Sequence, residues 1–306
     1  MTMIGLDWAN MDGNSTVDLK AAYAAGARFV YLRRSYAYGP QNRVVMAHDD
    51  TYKNDAQLVR DAGMTVGAYL FPSFNVGAPS PADQVANFKA AGGDIKPGVD
   101  LPPCLDVEFP GKNGLPDTGR SQAAVLALVV EFVKEMHTQF GCYPSVYTSH
   151  VQMCDDNGLG VRTTVPELEN CPYFPKTPYR LGAGLPPDQV LPRLLHAGYD
   201  PSDKFDYWRL PPPWVKTGWW MQQYQGDARG FPGIHQADLS VFNLLSAKTP
   251  ATDPRWAWLA RVTGTPNTTF PGTIISTIMA LQHDHGLTSD GIVGPATFAM
   301  LAWMNK

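Results

Sequence analysis

The chain has 306 residues, of which 44% are hydrophobic and 17% are charged. This length predicts two domains, or one large barrel with a small module, and the apolar content can bury a core, which argues against a disordered chain. The net charge is −4, so the composition argues against a nucleic-acid partner, which would select a basic surface.

In chain order, the amino terminus comes first, and it carries no recognisable targeting signal. Residues 1–7 lack a basic stretch followed by a long apolar run, and the longest apolar stretch, 123–130, is too short to span a membrane. We therefore expect a protein that is made in the cytoplasm without a signal peptide and has no membrane partner. We also expect it to be a monomer.

The first part of the chain, to about residue 245, alternates short apolar runs with helical stretches. The apolar runs predict strands at 3–8, 28–34, 64–71, 103–109 and 145–149. The stretches between them predict helices at 16–25, 51–62, 81–91 and 121–140. Repeated strand–helix units with doubly buried strands predict an α/β fold with a parallel sheet, and the length of the run favours a closed barrel.

The pattern changes after residue 154. Residues 166–213 are rich in proline and poor in helix signals, and strand-like segments remain at 193–199, 219–224 and 234–242. We therefore expect the last strands of the barrel to follow one another through loops rather than through full helices.

The carboxyl-terminal part has the pattern of a separate helical unit. Residues 248–254 contain two prolines and few apolar side chains, which predicts a linker, and helices are predicted at 274–281 and 295–304. We expect the core of the barrel to be complete by Phe242. The predicted organisation is a barrel over 1–246, a linker over 247–254 and a helical module over 255–306.

The four cysteines are Cys104, Cys142, Cys154 and Cys171. No Cys-x-x-Cys pair occurs, so the sequence predicts no zinc site, and it indicates no cofactor. Cytoplasmic synthesis favours four reduced thiols, and a bridge between Cys154 and Cys171 after export stays open.

Two acids lie close together in the predicted strand at 103–109. Because side chains two apart share a face of a strand, Asp106 and Glu108 point one way while Leu105 and Val107 point the other. In a parallel barrel the apolar face packs on the helices, so the two acids project into the mouth of the barrel, where barrel active sites form. Two solvated acids on a surface strand are the simpler interpretation of this segment taken alone.

Two further acids strengthen the case for a site. Asp7 ends the first apolar run and Asp238 ends the last, and the first and last strands of a closed barrel are neighbours. All four acids at one rim would form a carboxylate cluster. Such a cluster suits cleavage of a glycosidic bond, which needs an acid and a partner carboxylate, or a divalent metal, which needs oxygen ligands.

Six segments in order resemble the successive motifs of glycoside hydrolase family 25, the Chalaropsis-type lysozymes, which are N-acetylmuramidases. The segments are Gly5-Leu6-Asp7, Gly63-Met64-Thr65-Val66-Gly67-Ala68-Tyr69-Leu70-Phe71, Leu105-Asp106-Val107-Glu108, Val146-Tyr147-Thr148-Ser149, Gln223-Tyr224 and Ala237-Asp238-Leu239. The resemblance implies a TIM-like barrel of five β/α units followed by three strands.

The resemblance also implies the roles of the acids. Glu108 takes the role of general acid, Asp106 is its partner carboxylate, and Asp7 and Asp238 orient and tune this pair. The predicted substrate-binding residues lie at or near the same strand ends and are Trp8, Tyr69, Tyr147, Gln223 and Tyr224.

The tail carries a second motif, Leu281-Gln282 followed by Asp290-Gly291-Ile292-Val293-Gly294 and Thr297. It resembles the helical peptidoglycan-binding module of many wall hydrolases. Together the two resemblances imply a lysozyme that cuts peptidoglycan between N-acetylmuramic acid and N-acetylglucosamine, and the missing signal fits a phage endolysin released through a holin-type pore.

Two other classes of protein compete with this interpretation. One is a non-catalytic barrel that binds the cell wall, for instance a phage structural or attachment component. The other is a metal-dependent deacetylase or amidase, which would need His ligands beside the acids, and none is evident at these strand ends.

Overall fold

The structure is a computed structural model. It describes residues 3–9, 17–40, 43–92, 95–109, 115–154, 156, 158–175, 212–214, 218–245, 249, 253, 255–265 and 272–305.

Nine strands and eight α-helices are found in the described part of the chain. The strands are β1 Met3–Trp8, β2 Ala27–Tyr38, β3 Val45–His48, β4 Thr65–Phe71, β5 Cys104–Asp106, β6 Ser145–Thr148, β7 Tyr173–Pro175, β8 Met221–Arg229 and β9 Gln236–Phe242. The helices are α1 Leu19–Ala24, α2 Tyr52–Asp61, α3 Pro81–Ala90, α4 Gln122–Phe140, α5 His150–Cys154, α6 Arg255–Thr263, α7 Gly272–Asp284 and α8 Pro295–Met304. The predicted strand at 193–199 lies outside the described residues.

The strands form one sheet that nearly closes on itself. Its order is β7-β6-β5-β4-β2-β1-β9-β8, and a bridge between Tyr173 and Trp219 joins its two ends. The α/β barrel-like architecture is therefore confirmed. The predicted parallel sheet is wrong at β9, which runs antiparallel to both β1 and β8, and at β3, which runs antiparallel to β2. A short connection without a crossover helix joins β8 to β9, and such a connection produces an antiparallel pair.

The sequence did not predict the hairpin formed by β2 and β3. β2 continues to Tyr38, beyond its predicted end at Arg34, and β3 pairs with it from Ser35–His48 to Tyr38–Val45. β3 lies off the path of the barrel, because it pairs with β2 alone. The hairpin therefore extends one wall of the barrel beyond its rim.

Two apolar cores lie on the two faces of the sheet. The outer core packs strand residues such as Leu105 and Val107 against the helices, including Val129 of α4. The inner core contains Phe29 and Tyr31 and fills the barrel. The alternation predicted for β5 is thus confirmed, because residues at odd and even positions reach different sides.

Two glycines make room for the inner aromatic residues. A Cβ atom on Gly5 would lie 1.9 Å from the ring of Phe29, and a Cβ atom on Gly67 would lie 2.3 Å from the ring of Tyr31. Only a residue without a side chain fits at these places in β1 and β4, so both rings occupy the interior of the barrel.

The helical tail closes the end of the barrel at which the parallel strands begin. Phe298 of α8 is fully buried, and its ring centroid lies 4.8 Å from that of Trp220 and 5.6 Å from that of Phe242. The indole Nε1–H of Trp303 donates to the carbonyl oxygen of Asp100 at 2.8 Å. We call the tail helices α6–α8 the floor of the barrel.

This packing corrects one expectation. The core of the barrel is not complete by Phe242, because the inner core continues without a break into α6, α7 and α8. The sequence could show that Trp220 and Phe242 were apolar, but Phe298, which packs on both, lies more than 50 positions away from either. The boundaries at 246 and 254 stay a prediction.

Two further observations concern the described residues alone. None of their helices is both long enough and apolar enough to cross a membrane. All four cysteines are buried.

Candidate active site

The four predicted acids line one pocket at the carboxyl ends of the parallel strands. Its volume is about 230 Å³. Asp7 is the second-to-last residue of β1, Asp106 is the last of β5, and Glu108 follows two residues later. The lining residues are Asp7, Trp8, Ala9, Tyr31, Arg33, Tyr69, Phe71, Cys104, Asp106, Glu108, Tyr147, Phe174, Asp227 and Asp238.

Asp238 reaches this rim by a different route from the predicted one. It lies near the start of β9 rather than at the end of a strand, and it pairs directly with Asp7 of β1. Because β9 is antiparallel, its beginning lies beside the ends of the parallel strands. The predicted neighbourhood of Asp7 and Asp238 is therefore confirmed, although the direction of the last strand was wrong.

Glu108 is held in place although it lies beyond the end of β5. The backbone N–H of Val107 donates to the carbonyl oxygen of Tyr147 at 2.8 Å, and the Thr148 hydroxyl donates to the carbonyl oxygen of Val107 at 2.9 Å. These bonds fix the segment between the two acids to β6. Asp106 is buried and Glu108 is half-buried, so Glu108 is the more accessible of the two.

A buried amide organises Asp7 and Asp238. The Tyr147 hydroxyl donates to Oε1 of Gln223 at 2.6 Å, while Nε2 of Gln223 donates to Oδ2 of Asp238 and lies 3.5 Å from both carboxylate oxygens of Asp7. The bond from Tyr147 fixes which end of the amide is the acceptor, so its N–H groups face the two acids. Gln223 thereby serves two carboxylates at once.

Tyr147 stays a hydrogen-bond donor because its environment disfavours the phenolate. Burial raises the pKa of Tyr147 well above its usual value, and the nearby carboxylates, Glu108 first and then Asp106, raise it further. Burial also raises the pKa of the Cys104 thiol, with a smaller contribution from Asp106. Cys104 therefore lines the pocket as a protonated thiol, which is unsuited to act as a nucleophile.

The predicted substrate-binding residues divide into two groups. Trp8, Tyr69 and Tyr147 line the pocket, and Gln223 contacts its acids. Tyr224 does not line the pocket, and this part of the prediction is wrong. Neighbouring residues on a strand point to opposite faces, so Tyr224 turns into the outer core, where it is 1% exposed.

The sequence did not single out Asp227, which also lines the pocket. Its backbone N–H donates to Oδ1 of Asp238 at 2.6 Å, and its φ angle is +50°. This left-handed conformation lies where the register between β8 and β9 is irregular. The pair Gly226-Asp227 inside a strand pattern is a turn signal that would have indicated the irregularity.

Arg33 is the second lining residue that the sequence did not reveal. Its guanidinium forms a two-pronged ion pair with Asp49, with contacts of 2.8 and 3.0 Å, and lies 4.2 Å from the ring centroid of Tyr36. A single arginine in a predicted strand forms no motif, so the sequence did not indicate that Arg33 lines the pocket. The pair fixes the Arg33 guanidinium at the edge of the acidic pocket, and the Asp49 carboxylate balances its charge.

No three His, Cys, Asp or Glu side chains of the described residues are grouped so that they would hold a metal ion. The chemistry that the arrangement can perform is proton transfer from Glu108, together with stabilisation of positive charge by the neighbouring carboxylates.

Comparisons with known proteins show which families the sequence resembles. The sequence model of glycosyl hydrolases family 25 matches residues 6–164, and that of a peptidoglycan binding domain matches residues 256–301. The chain is 30% identical over 156 residues to an N,O-diacetylmuramidase of Arthroderma benhamiae, which is 49% of this chain and 60% of the relative. It is 31% identical over 135 residues to an N,O-diacetylmuramidase of Chalaropsis sp., which is 44% of this chain and 61% of the relative.

Solved structures share the fold of the barrel. The bacterial lysozyme from Streptomyces coelicolor aligns with a TM-score of 0.58 at 18% identity, over 79% of this chain and 93% of that chain. The curated relatives are matched over only about 60% of their own length. The family model spans more than half of this chain, including three of the four clustered acids, and the chain therefore belongs to glycosyl hydrolases family 25.

Proposed function

We propose that the chain is a lysozyme that hydrolyses the β-1,4 bond between N-acetylmuramic acid and N-acetylglucosamine in peptidoglycan. The observation that carries the proposal is the convergence of Asp106 and Glu108, from one segment, with Asp7 and Asp238 on a single pocket. Membership of family 25 and the matched relatives, which are named as N,O-diacetylmuramidases, support it.

In this proposal Glu108 is the general acid. Its proton passes to the oxygen that links the two sugars as the bond from the sugar carbon to that oxygen breaks. A water molecule then supplies the hydroxyl group that ends on the carbon, and the other proton of that water returns to Glu108. Glu108 suits the role because it is the more accessible acid and its backbone is fixed through Val107. Because this segment is fixed, the Glu108 carboxyl group donates to the leaving oxygen without a movement of β5.

Asp106 is the partner carboxylate. It is buried beside the position of the sugar carbon, where it stabilises the positive charge that develops there or orients the N-acetyl group of the substrate for internal attack. Asp7 and Asp238, bridged by Gln223, orient and tune this pair. Trp8, Tyr69 and Tyr147 provide aromatic and hydroxyl contacts for the sugar.

The tail supplies a second contact with the cell wall in this proposal. The match of a peptidoglycan binding domain to residues 256–301 supports attachment, which raises the local concentration of substrate. We also propose that the sheet is the five-unit, TIM-like barrel. Among the described residues β1, β2, β4, β5 and β6 each precede a helix, with β3 lying between β2 and its helix, and β7, β8 and β9 complete the sheet.

Digestion of purified peptidoglycan followed by mass spectrometry of the fragments tests the activity. We expect new reducing ends on muramic acid. Fragments with cut peptide stems would replace the lysozyme proposal with an amidase, and binding to walls without fragments would favour the non-catalytic wall-binding barrel.

We further propose that the chain is a phage endolysin, made in the host cytoplasm as a monomer and released through a holin-type pore. The pairing of a family 25 region with a wall-binding region supports a lytic role. Expression in a bacterial host with and without a pore-forming membrane protein tests the release route, and we expect lysis only when the pore is present.

A further inference from the structure

We propose that Thr148 is a positioning residue for the general acid, because its hydroxyl group fixes the peptide unit from which the Glu108 side chain projects. This assignment rests on the lysozyme activity proposed above. Thr148 is the last residue of β6 and is fully buried. Its neighbour Tyr147 lines the acidic pocket, so alternation along the strand turns the Thr148 side chain to the opposite face. Thr148 therefore acts on the reaction through another residue and not by contact with the substrate.

Strand pairing alone does not hold Glu108, because β5 is short. β5 ends at Asp106, which pairs with Tyr147, so the next residue, Val107, lies beside Thr148. In a regular parallel ladder Val107 would form two backbone bonds to β6, one through its N–H and one through its carbonyl oxygen. The first bond is present, since the N–H of Val107 donates to the carbonyl oxygen of Tyr147 at 2.8 Å.

A side chain takes the place of the backbone in the second bond. The regular donor to the carbonyl oxygen of Val107 would be the N–H of Ser149. Ser149 instead begins the turn into α5, where its hydroxyl accepts from the N–H of Gln152 at 3.2 Å and its carbonyl oxygen from the N–H of Met153 at 3.0 Å. The donor to the carbonyl oxygen of Val107 is the Thr148 hydroxyl, at 2.9 Å. β6 thus leaves the ladder at the residue where Glu108 must be held, and Thr148 extends the attachment by one bond.

This bond acts directly on Glu108 because the carbonyl group of Val107 belongs to the peptide unit that joins the two residues. A peptide unit is planar, so the direction of that carbonyl group also fixes the nitrogen and the Cα atom of Glu108. Val107 is fully buried, and the ring centroid of Phe109 lies 5.5 Å from that of Phe74 in the outer core. With both neighbours anchored, a rotation of the peptide unit would still redirect the Glu108 side chain, and the Thr148 bond opposes that rotation.

Thr148 is itself held from the outer core. The Tyr173 hydroxyl of β7 donates to the carbonyl oxygen of Thr148 at 3.3 Å, and the Tyr173 ring is stacked on that of Trp214 with centroids 4.7 Å apart. The indole N–H of Trp214 donates to the carbonyl oxygen of Cys171 at 3.0 Å. A general acid must lie within hydrogen-bond reach of the leaving oxygen, and a displacement of about 1 Å can cost about 100-fold in rate. A fixed donor behind Glu108 therefore contributes to turnover.

Two substrates with the same sugar before the cut separate the positioning of the acid from general damage to the site. One is the peptide-free tetrasaccharide GlcNAc–MurNAc–GlcNAc–MurNAc, whose leaving sugar oxygen needs a proton. The other is the dinitrophenyl β-glycoside of GlcNAc–MurNAc, whose phenolate leaves without a proton. Thr148→Val replaces the hydroxyl with a methyl group of similar size. We expect it to lower kcat/KM on the tetrasaccharide about 10- to 100-fold and to leave kcat/KM on the aryl glycoside within about 2-fold of the wild type.

Three further variants calibrate this contrast. Thr148→Ser keeps the hydroxyl and should behave as the wild type on both substrates. Glu108→Gln should show the same contrast at a larger size, because it removes the proton donor itself. Thr263→Val is the matched control, since the Thr263 hydroxyl donates to the carbonyl oxygen of Leu259 at 2.8 Å in α6, at the other end of the barrel. Both kcat/KM values should be unchanged in this control.

An equal fall of kcat/KM on both substrates for Thr148→Val would overturn the assignment, because it would indicate general damage to the site. No fall on the tetrasaccharide, or an equal fall for Thr148→Ser, would also overturn it. Thr148→Ala removes the same hydroxyl without adding a methyl group and gives the same comparison if valine prevents folding. If neither variant folds, the hydroxyl serves stability and the positioning role is wrong.

The wild-type reaction is measured first. If it yields no reducing muramic acid from the tetrasaccharide, the proposed lysozyme activity itself fails, and that outcome is separate from any behaviour of Thr148.

Discussion

The two ends of the barrel differ in their side chains, because one end is acidic and the other is apolar. At the end where the parallel strands finish, five carboxylates line a pocket, and one buried amide, Gln223, contacts two of them. At the other end, Trp220 and Phe242 pack on Phe298 of the floor in a continuous apolar core. Like charges held together at the first end oppose folding, whereas aromatic burial at the second end favours it.

The residues that perform the chemistry and the residues that stabilise the fold therefore lie at opposite ends of the barrel. Substitutions at the acidic end should change turnover with little change in the free energy of unfolding. Substitutions at the apolar end should do the reverse. Substitutions at one end at a time, with kcat and the free energy of unfolding as readouts, test this separation.

Removal of the proton donor should have the largest effect. Glu108→Gln keeps the shape of the side chain but cannot donate a proton to the leaving oxygen, so we expect kcat to fall by about 10²–10⁴ with an unchanged unfolding midpoint. Glu131→Gln, on the exposed side of α4, is the control. A Glu108→Gln variant that retained more than about a tenth of the wild-type rate would show that another group is the general acid.

A cavity in the floor should produce the opposite result. Phe298 is fully buried between Trp220, Phe242 and Trp258, and Phe298→Ala should lower the free energy of unfolding by about 3–5 kcal/mol. Denaturant titration measures this change, and kcat below the unfolding transition should stay near the wild-type value.

Met304→Ala is the matched control for Phe298→Ala, because Met304 is an exposed residue of the same helix. Truncation after Ser246 makes the same test more severe. The fragment 1–246 should unfold or aggregate, since it exposes Trp220 and Phe242, and a stable and active fragment would show that the floor is dispensable.

The sequence was sufficient to predict the elements whose burial pattern is local. β1 and α8 have the predicted bounds, and α4, predicted over 121–140, is capped by Ser121 and followed by Gly141, whose φ is +73°. The four acids were placed at one rim because alternation and barrel topology fix which residues face inward. Both inferences depend on the spacing of apolar residues and on the order of the strands along the chain, and a single sequence contains both.

What the sequence could not show was the partner of each buried surface. Trp220 and Phe242 are apolar in the sequence, but only the folded chain places Phe298 against them. The β2–β3 hairpin was missed because β3, Val45–His48, is short and only half-buried or exposed, which leaves no alternation to detect. Asp227 was missed because its contribution is a backbone N–H, which every residue except proline carries.

The backbone at Asp227 offers a smaller test at the acidic end. Asp227→Gly keeps the N–H group that contacts Asp238 and tolerates a positive φ, so we expect kcat near the wild-type value. Asp227→Val strains this conformation, displaces the donor from Asp238 and should lower kcat about 10-fold, the value of one charge-assisted hydrogen bond. If both variants lost activity equally, the carboxylate of Asp227 rather than its backbone would be the contributing group.

The smallest effect is expected where one hydrogen bond ties the floor to the barrel. Trp303 is buried, and its Nε1–H donates to the carbonyl oxygen of Asp100, whose carboxylate also binds Arg60. Trp303→Phe keeps most of the ring but leaves that carbonyl without its donor, so we expect the free energy of unfolding to fall by about 1–2 kcal/mol with kcat unchanged.

Thermal and urea unfolding of Trp303→Phe, measured together with kcat on purified peptidoglycan, test this effect. Hydrogen exchange adds a local readout, because the amides of α8 should exchange faster while those of β1 and β5 keep their protection. Faster exchange in β5 as well would mean that Asp100 transmits the loss to the strand that carries Asp106. In that case kcat should fall with stability, and the separation between the two ends of the barrel would be incomplete at this one contact.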